Sequence, residues 1–308
     1  MKKALKWTAL IAPAWLLAYK WPSKGERMPF FENASGRPLN IAHRGGAALA
    51  PEETLEAFLK SYLAGADMFE YDVHISKDGY LIASHDPTVD RITDGTGFIN
   101  DLDLSELKSF DAGANFFDED GQRPFMGKKV TLATVEEIFQ SFPNMKAVIE
   151  LKDDNRPELY EPMIQEMWRL IQAYGMEDKV CIGSFDHKIN RRFKEVSQGR
   201  VAIGAGSSEA TAYLVKMLLR LNGLATTDAD SFQLPVKQFG LDLTQNNIIE
   251  GSRRKGKDIY YWTVNDEATM LDLIAKGVDG IMTDNPVLLE KVLNKSEEID
   301  YESSFGTP

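Results

Sequence analysis

From residue 39 almost to its end, this chain alternates short apolar runs with stretches whose apolar residues recur every three to four positions. The runs fall at 39–42, 69–75, 146–151, 179–184, 200–204, 231–234, 259–264 and 278–282, each of strand length. The intervening stretches read as helices. One starts at Pro51, carries Glu52 and Glu53 in its first turn and buries Leu55, Phe58, Leu59 and Tyr62. Another opens at Pro157 with Met163, Met167 and Leu170 inside, and a third, apolar on most faces, spans 211–221 and stops at Asn222-Gly223. Strands separated by helices line up in parallel, and about eight such units close into a (β/α)8 TIM barrel. An open, doubly wound sheet is the alternative. The 308 residues and 43% apolar content suit one large domain.

Residues 87–130 break the rhythm, with Thr93-Asp94-Gly95-Thr96-Gly97 and Asp118-Glu119-Asp120-Gly121 and little periodicity, and read as an insertion after the second strand. The barrel is therefore expected over 37–294, preceded by a distinct segment at 1–36 and followed by a loose acidic tail at 295–308. In the first segment Lys2, Lys3 and Lys6 precede an uncharged run from Trp7 to Tyr19, and Lys20 and Lys24 follow it. As a helix that run spans about 20 Å, short of the roughly 30 Å hydrocarbon core, although flanking lysines can snorkel. A membrane anchor, a cleaved export signal and an interfacial helix all fit, so the chain is expected to be membrane-associated through its N-terminus or exported, with the side of the membrane open. The net charge of −12, with no basic stripe, argues against a nucleic-acid partner. Cys181 is the only cysteine, which excludes an intrachain disulfide and a multi-cysteine metal site. Neither a dinucleotide glycine fingerprint nor a P-loop is present.

Barrel chemistry collects at strand C-termini. His43-Arg44 ends the first expected strand, His85 closes a hairpin after the second, Glu150 and Lys152 end the third, Trp262 and Asn265 the seventh, and Asp284 the eighth. Period-2 alternation sets Glu70, Asp72 and His74 on one face of the second strand. Two carboxylates so placed repel unless a positive charge sits between them, and a divalent cation with oxygen ligands resolves the conflict. An edge strand with its acids in water is the alternative.

These residues carry a resemblance. A-H-R-G-G at 42–46, P-E-E-T-L-E-A-F at 51–58, E-Y-D-V-H-I-S-K-D-G at 70–79, S-H-D at 84–86, V-I-E-L-K at 148–152, W-T-V-N-D at 262–266 and G-I-M-T-D at 280–284 follow one another in order. The set resembles the glycerophosphodiester phosphodiesterase family, phosphate-ester hydrolases on a distorted (β/α)8 barrel with an insertion where 87–130 falls. The resemblance implies Glu70, Asp72 and Glu150 as ligands of one Ca2+ or Mg2+ ion, His43 and His85 as the acid–base pair, and Arg44 and Lys152 as phosphate contacts. It implies Trp262 as an apolar wall for the substrate. The implied reaction is metal-assisted hydrolysis of a glycerophosphodiester to an alcohol and glycerol 3-phosphate, through attack of a substrate hydroxyl and a cyclic phosphate. His74 and Asp284 are expected to support the site rather than touch substrate. A lysophospholipase D acting at a membrane is the alternative within the class. A silent, membrane-tethered lipid- or phosphate-binding protein is the alternative outside it, disfavoured because every implied catalytic residue is present. One departure stands out: where the family string reads P-E-N-T, Glu53 replaces the Asn, so the geometry of the first loop is in question.

Overall fold

The structure, a computed structural model, describes residues 27–304. The expected apolar run at 7–19 lies outside the described residues. Strands β1 (Leu39–Ala42), β2 (Met68–Ile75), β4 (Lys146–Leu151), β5 (Val180–Gly183), β6 (Ala202–Ile203), β7 (Ser231–Pro235), β10 (Asp258–Trp262) and β11 (Gly280–Thr283) are the barrel strands. They pair in parallel in the order β6-β5-β4-β2-β1-β11-β10-β7. A single parallel bridge between Gly204 and Ser231 joins the two ends into a nearly closed barrel. Short β3 (Leu81–Ala83) folds back antiparallel on β2. Because β2 is paired with β1, β3 and β4 and buried along its whole length, the edge-strand alternative does not hold.

The helices are α1 (Leu55–Leu63), α2 (Leu104–Leu107), α3 (Val135–Ser141), α4 (Tyr160–Tyr174), α5 (His187–Val196), α6 (Ser207–Leu218), α7 (Asn246–Arg253), α8 (Glu267–Ala275) and α9 (Pro286–Ser304). Inside the barrel, Ile41, Met68, Val148, Cys181, Ala202, Tyr260 and Met282 form one layer, closed from below by Phe30 and Phe31. Each buried Phe contributes about 2 kcal/mol by area, and the plug fixes where the chain enters. Lys146, the first residue of β4, donates to the carbonyls of Phe30 and Glu32 at 2.7 and 2.8 Å. Arg27 grips Asp258, the first residue of β10. The N-terminal segment thus joins the barrel at its floor, opposite the strand C-termini. The insertion has its own small core, which includes Val89, Ile92, Ile99, Phe116 and Phe125.

Several sequence expectations need correction. Helix α1 begins at Leu55, not Pro51, because Thr54 caps it and Glu53 takes a left-handed φ of 61° that no helical turn accepts. Its inner face is Ala57, Phe58 and Ser61, whereas Leu59 and Tyr62 are about half exposed. Helix α6 ends at Leu218, and Asn222–Leu224 forms a separate 3-10 turn. Helix α9 runs on to Ser304, well into the stretch expected to be loose. A hairpin between β8 (Lys237–Gln238) and β9 (Leu241–Asp242) escaped the sequence reading, because its strands are two residues long.

Candidate active site

Strand alternation turns Glu70 and Asp72 into the barrel, and the parallel register sets Asp72 beside Glu150. Asp72 is 2% and Glu70 8% exposed, so their charges are not dissolved in water. Lys152 lies beneath them, with Nζ 3.3 Å from Asp72 Oδ1 and 3.2 Å from Glu150 Oε1. Burial would lower its pKa, but the two acids raise it. One cation between three acids leaves excess negative charge. Burial, then repulsion from Asp72, lifts the Glu70 carboxyl to about 7 and the Glu150 carboxyl to about 8.

The first βα turn explains the H-R-G-G string. Arg44 sits at a left-handed φ of 50° and turns its backbone N–H onto Glu70 Oε2 at 3.0 Å. Gly46 follows at φ 98°, and a Cβ there would lie 2.2 Å from Ser61 Oγ, so only glycine permits the close approach of α1. The turn presents His43, whose Nε2 is 4.0 Å from Glu70 Oε2 and whose Nδ1 is 2.6 Å from Asp284 Oδ1. Burial would favour the neutral ring, but the Asp284 hydrogen bond and the charge of Glu70 outweigh it and raise the His43 pKa. His85, at the end of the hairpin, places Nδ1 2.8 Å from Asp86 Oδ1. In both histidines a carboxylate occupies Nδ1 and leaves Nε2 for chemistry.

One cavity of about 190 Å³ is lined by His43, Arg44, Glu70, Asp72, His85, Glu150 and Trp262. It therefore collects the residues singled out from sequence, except Lys152, which sits below as a counter-charge rather than facing the opening. Phe185, Ser184 and Gln233 complete the opposite wall. His74 is fully buried, bonded to the Ser84 carbonyl and Asp154, and supports the strand. Glu53 is also fully buried: its Oε1 accepts the Asp72 N–H at 3.2 Å, and its Oε2 has no partner among the described residues. Burial, then Asp72 and Glu70, push its pKa well above the carboxylate range, so it holds a proton and stands in for a neutral amide.

Three supporting groups were not flagged by sequence. Asp86 braces His85, Glu52 receives Arg44 Nη1 at 3.1 Å, and Arg91 of the insertion bonds both Glu52 and Asp86. Asp86 and Glu52 adjoin matched motifs and were open to discovery; Arg91 lies in an aperiodic stretch with no local signal.

Among the described residues, no three His, Cys, Asp or Glu side chains are already closed around one point as a metal cage. The donor chemistry nonetheless fits a hard divalent cation. Two carboxylates carry raised pKa values, and Glu150 Oε1 is buried without a hydrogen-bond partner.

The model of the glycerophosphoryl diester phosphodiesterase family matches residues 43–288. A glycerophosphodiester phosphodiesterase from Caldanaerobacter subterraneus is 32% identical over 259 residues, covering 84% of this chain and 99% of the relative. A human (Homo sapiens) lysophospholipase D is 26% identical, covering 83% of this chain and 86% of its own. Among solved structures, a glycerophosphoryl diester phosphodiesterase domain from Mycobacterium tuberculosis matches with TM-score 0.73 and 18% identity, covering 83% of this chain and 98% of that one. An Oleispira antarctica phosphodiesterase, solved with the product sn-glycerol-3-phosphate, matches with TM-score 0.67 and 24% identity, covering 84% and 98%.

Proposed function

The chain belongs to the glycerophosphoryl diester phosphodiesterase family, and from that premise we propose that it hydrolyses glycerophosphodiesters to glycerol 3-phosphate and an alcohol by histidine acid–base catalysis beside a divalent cation. The observation that carries this reading is the pairing in one cavity of two carboxylate-braced histidines with an under-neutralised group of acids.

Glu70, Asp72 and Glu150 would hold the cation, Ca2+ or Mg2+. When bound it supplies positive charge for a phosphate oxygen and lowers the pKa of a nearby hydroxyl. Arg44, anchored by Glu52, faces the cavity as a fork for phosphate oxygens. His43 is the group kept protonated by Asp284, so it is assigned as the acid. His85 is then the base. Its Nε2 takes the proton of a glycerol hydroxyl as that oxygen bonds to phosphorus. The bond from phosphorus to the alcohol breaks, and His43 Nε2–H protonates the leaving oxygen. Water then opens the cyclic phosphate, with the two histidines in reversed roles. Lys152 offsets the charge of the acids from below.

The floor entry of the chain supports a soluble diester over a lysolipid. Residues 20–26 separate the apolar run from Arg27, and seven residues reach at most about 25 Å. A bilayer that held residues 7–19 would adjoin the floor, and the mouth would open away from it. Membrane association through this segment belongs to the same proposal. The test compares glycerophosphocholine, glycerophosphoethanolamine and lysophosphatidylcholine after chelation and after restoring Ca2+ or Mg2+. Faster turnover of glycerophosphocholine than of lysophosphatidylcholine is expected; the reverse ratio would favour the lipid branch, and no hydrolysis of any of them would remove the catalytic reading.

A further inference from the structure

The insertion contributes an arginine that bridges both halves of the site. Arg91 Nε donates to Asp86 Oδ2 at 2.6 Å, while Nη1 and Nη2 donate to Glu52 Oε2 and Oε1 at 3.0 and 2.7 Å. Asp86 Oδ1 is 2.8 Å from His85 Nδ1, and Glu52 Oε1 also accepts from Arg44 Nη1 at 3.1 Å. An unbroken chain of charge-assisted bonds thus runs His85–Asp86–Arg91–Glu52–Arg44, from one cavity residue to another. Each contact uses the planar geometry of the guanidinium, which an ammonium does not reproduce.

The placement of Arg91 is built, not incidental. It stands between Val89 and Ile92, both buried in the insertion's core, and its carbonyl accepts from Asn115 Nδ2 at 3.2 Å. The carboxylates it holds have no other strong cation except Arg44 on Glu52 and the His85 ring on Asp86. Burial alone would raise the pKa values of both acids; Arg91, with Arg44 and His85, holds Glu52 below its ordinary value and Asp86 at about 2. A surface pair on the same insertion gives the contrast. Arg156 bonds Asp101 through both oxygens at similar exposure, but its chain of bonds reaches no catalytic residue.

We propose that Arg91 is a positioning residue by which the insertion couples His85 to the phosphate-facing Arg44. This rests on the catalytic roles given above. Without Arg91, Asp86 loses a partner and turns freely, so the His85 ring is no longer fixed, and Glu52 leaves Arg44 less constrained. Both consequences fall on the transition state rather than on the fold.

The experiment compares Arg91→Ala, Arg91→Lys and Arg156→Ala in the full chain with glycerophosphocholine. Arg91→Ala is expected to lose roughly 10- to 100-fold in kcat/KM, the usual scale for an outer-shell partner, with little change in melting temperature. Low millimolar guanidinium should restore part of the rate, Arg91→Lys should not substitute, and Arg156→Ala should match the parent. A readout independent of turnover is the titration of the His85 ring by NMR. Losing Arg91 leaves Asp86 uncompensated beside the ring, so the midpoint should move upward. An Arg91→Ala protein with kcat/KM within twofold of the parent, or with lost rate but no rescue and an unmoved His85 titration, would overturn the proposal. A parent protein that hydrolyses no diester, yet shows the His85 shift on Arg91→Ala, would overturn the catalytic roles and leave the coupling standing.

Discussion

His43 Nδ1 lies 2.6 Å from Asp284 Oδ1, so a ring at the end of the first barrel strand is held by a carboxylate at the end of the last. Asp284 Oδ2 is held in turn by Asn265 Nδ2 at 2.6 Å, and Asn265 Oδ1 accepts from the Asp284 N–H at 2.9 Å. The pairing both orients the ring and keeps it charged. Asp284→Asn is expected to lower kcat by about 10²- to 10⁴-fold, the range for acid–base groups. Because the carboxylate raises the His43 pKa, the variant should also lose activity at lower pH on its alkaline limb. A pH–rate profile checks both, and an unmoved alkaline limb would separate His43 from the acid role.

The acid cluster links cation binding to pH. Glu70 and Glu150 titrate at about 7 and 8 in the fold, above their ordinary value of 4.5. The folded chain therefore binds these protons more tightly than the unfolded one. Their contribution to stability is present below about pH 4.5 and is lost as pH rises through 7 to 8. In chelator, the melting temperature should fall across that window. Added Ca2+ or Mg2+ should raise it more at pH 8.5 than at pH 6. A thermal-shift series with equal effects at both pH values would contradict the cluster as the cation site.

Lys152 is the counter-charge beneath two acids and is 7% exposed. Lys152→Met removes one partner and strands the others, a change that costs about 3–5 kcal/mol for buried pairs. The loss should show in denaturant melts run in chelator and shrink when a divalent cation is present. An unaltered melt in chelator would mean that the acids find another partner.

Glu53 is already protonated, so Glu53→Gln removes no charge. The variant is expected to keep kcat within about threefold, and Glu53→Ala to lose more, because the Asp72 N–H then loses its acceptor. Steady-state kinetics on the pair decide the matter; a large loss in Glu53→Gln would show that the ionised form is the working one.

The barrel was legible because parallel strands buried on both faces read as apolar runs at regular spacing. Strand β1 and strand β4 match the sequence expectation at both ends. The start of α1 was not legible, since Glu52 and Glu53 look like first-turn acids until Thr54 is seen to cap and Glu53 to turn inward. The site residues on strands could be named because period-2 alternation fixes which way Glu70 and Asp72 face. Lys152 could be named but not placed, because one further step along β4 separates a cavity wall from a buried counter-charge. Arg91 was invisible for a different reason: its partners lie 39 and 5 residues away across an aperiodic stretch.

The most direct measurement follows glycerophosphocholine by 31P NMR with a divalent cation present, in the parent and in His43→Ala and His85→Ala. The parent should release glycerol 3-phosphate and choline, and each variant should turn over at least about 100-fold more slowly while still showing the cation-induced thermal shift. Parental rates in both variants, or release of phosphocholine in place of glycerol 3-phosphate, would contradict the account.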